Sequence, residues 1–116
     1  MTLDQIAQAL NLTLLTSEQD FTQINPSAGY TSDMLSCVMS GAPRQGVWVT
    51  VQAHVNIVAV AALLDLSAII VTEDALVDEA TIEKANEKDI TIFSTPMQSF
   101  EVVGRLWELG LRASQE

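Results

Sequence analysis

One histidine, His54, and one cysteine, Cys37, are the residues of this chain best suited by type to do chemistry. A histidine titrates near neutral pH, and a thiolate attacks electrophiles. Cys37 sits in the apolar stretch Leu35-Ser36-Cys37-Val38-Met39, where a packed, inert thiol competes with a nucleophile served by His54. His54 beside Asp33 or Glu73 would form a carboxylate-supported base, whereas a loop histidine bonded to backbone would do no chemistry. The pair Glu73-Asp74 reads either as a solvated turn or as a hard-cation site. Other machinery is missing from the sequence. There is no Gly-rich phosphate loop ending in Lys and Ser or Thr, no GxGxxG after a strand and no GxSxG elbow. A lone cysteine excludes thiolate clusters for zinc or iron-sulfur, and a lone histidine excludes two-histidine metal motifs. The expectation is a chain without catalytic residues, metal or cofactor.

The elements that must position these residues alternate. Leu3, Ile6, Ala7 and Leu10 repeat at helical spacing and lead into an extended run, Leu12 to Thr16. Thr22 to Asn25 reads as a second short strand ended by Pro26, Ser27 and Gly29. A helix is expected from about Ser32 to Met39, then a strand over Val47 to Val51, then a helix from Ile57 to Leu64 capped by Asn56. Ala68 to Thr72 is the next strand. Asp78 and Glu79 open a helix, with Lys84 and Lys88 toward its end. Thr91 to Ser94 is a strand, and Thr95, Pro96 and Gln98 predict a capped helix through Leu109, stopped by Gly110. Strand and helix alternating with short connections give an α/β fold: a mostly parallel sheet with helices packed on it, a three-layer sandwich. Residues 1–111 read as a single domain and 112–116 as a tail.

In such sheets ligands bind beyond the carboxyl ends of the strands. The candidate ligand-binding residues are therefore Gln52, His54, Asn56, Thr72, Ser94 and Thr95, with Asn56 and Thr95 doubling as expected helix caps. Two helices favour association, or else core packing. Ile57 to Leu64 is apolar around its circumference, and the last helix carries Phe100, Val103 and Trp107 on one stripe, widened by Val102, Leu106 and Leu109.

Composition narrows the partners. Fifteen acidic residues against five scattered basic ones give a net charge of −10, which opposes nucleic-acid binding. At 116 residues with 48% hydrophobic content, the chain can bury one sizeable core. The start Met1 to Gln5 lacks a signal-peptide pattern, and the most apolar run, Val55 to Leu64, is too short to span a bilayer, so a cytoplasmic location is expected.

Three segments carry a family resemblance: Gly29-Tyr30-Thr31-Ser32-Asp33-Met34-Leu35-Ser36, Trp48 to Ala61, and Ser94-Thr95-Pro96-Met97-Gln98-Ser99-Phe100-Glu101. Together they resemble stand-alone DRTGG-domain proteins over almost the whole chain. The opening, Leu3 to Ile6 and Leu12 to Thr16, is also similar to the non-catalytic N-terminal domain of HPr kinase. The resemblance implies that domain's fold and a non-enzymatic regulatory module. It also implies a partner protein that is redox or hydrogenase related, while the expectation of a homodimer rests on the two apolar helices. The chain has no Asp-Arg and no Gly-Gly dipeptide, so no ligand site is carried over from the family. A small-molecule sensor of a nucleotide or metabolite is the alternative, and an enzyme using His54 with Asp33 or Glu73 is the third reading.

Overall fold

In the computed structural model, which describes residues 1–115, the apolar runs become strands buried on both faces. The elements are α1 (Leu3–Ala9), β1 (Thr13–Leu14), β2 (Gly29–Thr31), α2 (Leu35–Gly41), β3 (Val47–Thr50), α3 (Asn56–Leu64), β4 (Ala68–Val71), α4 (Glu79–Glu87), β5 (Ile92–Ser94) and α5 (Ser99–Leu109). They build one five-stranded sheet in the order β1-β5-β4-β3-β2. Strands β2 to β5 run parallel and β1 closes the far edge antiparallel to β5, with Thr13 opposite Ser94. Every residue of β3 and β4 is buried, as central strands covered by helices require.

Alternation along these strands feeds two apolar layers. Trp48, Ile69, Val71 and Ile92 face α3 together with Val38 of α2 and Ala85 of α4. Val47, Val49, Ile70 and Phe93 face the other way, against Leu3 and Ile6 of α1 and Val102 and Leu106 of α5. The expected three-layer α/β architecture is therefore present. Among the described residues no helix is long and apolar enough to cross a membrane.

Local chemistry accounts for the departures from the sequence reading. Over 22–25 there is no strand: the Asp20 side chain accepts from Thr22 N and caps a 3-10 turn, Phe21–Gln23. The strand lies later, at Gly29–Thr31, where pairing with β3 supplies hydrogen bonds that no periodicity announces. Helix α2 begins at Leu35, since residues 32–34 are tied into the loop: Ser32 Oγ accepts from Met34 N, and Ser32 O accepts from the Trp48 indole at 2.9 Å. Asn56 does not cap α3. It is already helical, and its N–H donates to His54 Nδ1 at 3.3 Å. Thr95 does not cap α5 either; its hydroxyl accepts from Met97 N in a turn, and α5 starts at Ser99 after Gln98. Cys37 is exposed, not packed, because α2 turns Val38 inward and leaves Cys37 outside with its Sγ 3.6 Å from Met34 Sδ.

Candidate functional site

The carboxyl ends of β2, β3 and β4 are stitched together by a polar network. Asp33 Oδ1 accepts from the buried Thr50 hydroxyl at 2.8 Å and from Val51 N at 2.9 Å. Thr50 Oγ1 accepts in turn from Gln52 N, and the Gln52 amide donates to Asp33 O at 2.9 Å. Thr72 is fully buried; it donates to Thr50 O, and its hydroxyl lies 2.6 Å from Ser99 Oγ. Thr95, also buried, bonds through its N–H to Val71 O, while its carbonyl accepts from Asp74 N.

These bonds sort the sequence-derived candidates. Thr72 and Thr95 are enclosed and internally bonded, so they hold the loops in place and present little to a ligand. Gln52 is half-buried and spends its amide on Asp33 O. Ser94 ends β5, partly exposed, opposite Val71 and Thr13. His54 and Asn56 are exposed at the start of α3. The structure thus brings Gln52, Thr50, Asp33 and Thr72 together, with His54 and Asn56 at the outer margin.

Neither expected carboxylate partner joins His54 through a hydrogen bond. Asp33 serves Thr50 and Val51, and His54 Nδ1 takes the Asn56 N–H. The acid that does feel His54 is Asp78. Hydrogen bonds from the Thr81 side chain and backbone hold the Asp78 carboxyl below its ordinary range, with the His54 charge adding a smaller pull. Glu73 and Asp74 adopt left-handed backbone, and their N–H groups bond to Met97 O and Thr95 O. Among the described residues no three His, Cys, Asp or Glu side chains gather to hold a metal ion. The loops after β2 to β5, residues 32–34, 51–55, 72–78 and 95–98, contain Asp33, Glu73, Asp74 and Asp78 but no Lys or Arg. A ligand rich in phosphate would meet four carboxylates there, with His54 as the one basic side chain in these loops.

A second surface stands out on α5. Val102 and Leu106 are buried, while Phe100 is 90% and Trp107 52% exposed on the opposite side of the helix. Val103 and Gly104 lie between them, and a side chain built at Gly104 would meet nothing within 4 Å. Helix α3 behaves differently: Ile57, Val58, Val60 and Ala61 are covered by the chain's own core, and Leu63 is its one large outward residue. The sequence identified the α5 stripe but not which half faces water. It also missed Arg112, which stacks 4.6 Å above the Trp107 ring and donates to the Trp107 carbonyl.

No model of a known protein family matches the chain, and no curated protein matches it. A solved structure does: the CBS and DRTGG domains of the regulatory region of Clostridium perfringens pyrophosphatase, complexed with the activator diadenosine tetraphosphate. The TM-score is 0.75 at 21% sequence identity, over 90% of this chain and 45% of that one. The chain thus spans under half the length of that region, and what it shares with it is the fold.

Proposed function

We propose that the chain is a non-catalytic regulatory module that associates with a second copy of itself through α5 and controls a separate enzyme. The observation carrying this reading is the exposure of Phe100 and Trp107 on the outward side of α5, with Gly104 open between them, half-buried Val103 at the edge of the stripe and Arg112 stacked on the Trp107 ring. A stripe with this spacing is self-complementary. Antiparallel packing about a two-fold axis between Val103 and Gly104 sets Phe100 of each copy against Trp107 of the other, and Gly104 lets the helices approach closely. Aromatic side chains present roughly 150–250 Å² each, so two copies would bury about 600 Å² through these residues alone. That is below the roughly 1,000 Å² a specific interface needs, so neighbouring residues must add to the contact, and the dimer is expected to be weak and concentration-dependent.

The fold shared with a pyrophosphatase regulatory region supports the regulatory part, and the DRTGG resemblance supports the class of module. The likeness to HPr kinase rests on the N-terminal residues alone. The exposed, internally bonded carboxyl edge supports the non-catalytic part, because no base, nucleophile and acid converge on it. A cytoplasmic site of action and a redox-related partner belong to the same proposal.

A second reading, a small-molecule sensor at Gln52, His54, Asn56, Thr72, Ser94 and Thr95, draws on the activator bound in the similar structure. The acidic loops favour an uncharged or cationic metabolite over a polyphosphate at that edge.

Sedimentation equilibrium over a wide concentration range tests the main reading. The expected result is a monomer–dimer equilibrium that Phe100→Glu abolishes while leaving a cooperative melt. A chain monomeric at every concentration overturns the self-association.

A further inference from the structure

We propose that the hollow between α5 and the edge strand β2 binds a small organic acid: one carboxylate on an apolar body about the size of a single ring. The hollow has a volume of about 210 Å³, and Gly29, Val49, Leu106, Trp107, Leu111 and Arg112 are among its lining residues. An apolar cavity of roughly 150 Å³ holds a benzene molecule, so this space accommodates a ring with a short substituent. Two features of the chain create it. Gly29 puts no side chain into the space and donates its N–H to Arg112 O at 2.9 Å, which draws residues 111–112 alongside β2; a Cβ there would come 3.3 Å from Leu111 Cδ2. Gly110, at φ 109°, ends α5 with Leu111 N bonded to Leu106 O, which folds Leu111 in as a wall and brings Arg112 to the rim.

Arg112 decides the ligand's charge. Arg44, Lys84 and Arg105 are paired with Asp65, Glu87 and Glu101. Arg112 has no carboxylate partner among the described residues; it is held over Trp107 and spends a donor on the Trp107 carbonyl. A guanidinium carries five N–H donors in a planar fork, so a carboxylate can still be taken by two of them. One cation above an apolar hollow matches a monoanion with a greasy body. A polyphosphate would need more positive charge than one arginine provides. This inference is independent of the proposed dimer, although Trp107 belongs to both surfaces.

The test is titration of the full chain with phenylacetate, using neutral 2-phenylethanol as control, read on the two tryptophan indole N–H signals by 15N NMR. Saturable movement of the Trp107 signal with Trp48 unmoved is expected, since Trp48 is buried with the other layer of the core. Arg112→Gln should weaken phenylacetate by about tenfold and leave the alcohol unchanged, the size of one charge-assisted contact near solvent. Gly29→Ala should weaken both compounds by narrowing the hollow. Equal affinity for acid and alcohol, no saturation, or movement of Trp48 alone overturns the proposal. Phe100→Ser separates it from dimerisation: unchanged phenylacetate binding sustains the hollow as the site, and lost binding places the ligand at the α5 contact and overturns it.

Discussion

Replacing Asp33 by alanine distinguishes a strut from a catalytic carboxylate. The side chain accepts two hydrogen bonds, from the Thr50 hydroxyl at 2.8 Å and from Val51 N at 2.9 Å. Thr50 is fully buried, so losing its acceptor leaves a hydroxyl proton without a partner and without water. Such an orphan costs about 1–3 kcal/mol, whereas Val51 is more exposed and its N–H can turn to solvent. Hydrogen bonds to a charged acceptor lie toward the upper part of that range, and the exposure of Asp33 pulls the expectation back to about 2 kcal/mol. For a domain of this size that is a fall of roughly 8 °C in Tm. Urea denaturation of the wild type, Asp33→Ala, Thr50→Val and the double variant closes a cycle. Once Thr50 has no hydroxyl, removing Asp33 should cost little, giving a coupling of about 1 kcal/mol or more. Additive losses, or an Asp33→Ala variant within about 0.5 kcal/mol of wild type, would refute the strut and reopen a chemical role for Asp33.

Trp48→Ala should cost about 3–5 kcal/mol by opening a cavity and orphaning Ser32 O, measured by the same denaturation. Gly110→Ala forces a side chain into φ 109° and should destabilise by about 1 kcal/mol or more, visible as a lower urea midpoint; fluorescence should also show Trp107 freed from Arg112. Asp78 titrates below its ordinary range in the folded chain, so its contribution is complete above that range and disappears as pH falls through the lowered value. Asp78→Asn should therefore flatten the acid limb of the stability profile and leave the neutral plateau's shape unchanged. Cys37 should react with a thiol reagent in the native state as fast as in denaturant, since the thiol is exposed.

The α5 stripe and the hollow beside it share Trp107, and this gives the regulatory reading a physical route. A ligand under Trp107 would alter the ring that a second copy or a partner contacts, and coupling between two sites requires such a shared element. Binding measured on Phe100→Ser, set against association measured with and without phenylacetate, would separate the two effects.

How much of this was legible beforehand differs by element. The runs Val47-Trp48-Val49-Thr50 and Ala68-Ile69-Ile70-Val71 read as central parallel strands, because they are short, rich in β-branched residues and apolar on both faces, as strands covered by helices on either side must be. Asp78 and Glu79 announced the start of α4 correctly, and the structure adds that the Asp78 side chain caps it by accepting from Thr81 N. The sequence also determined which chemistry is missing, since one His and one Cys cannot supply a two-histidine or thiolate metal site. Tertiary structure decided the rest. Strand β2 has three residues and owes its existence to pairing with β3, while Asp33 and Ser32 are held out of α2 by partners on β3, Thr50 and Trp48, 17 and 16 residues away. Local patterns cannot register contacts at that separation. The same holds on α5: the order of apolar residues shows a helix that is greasy on two sides, but only the sheet beneath Val102 and Leu106 determines that Phe100 and Trp107 are left facing water.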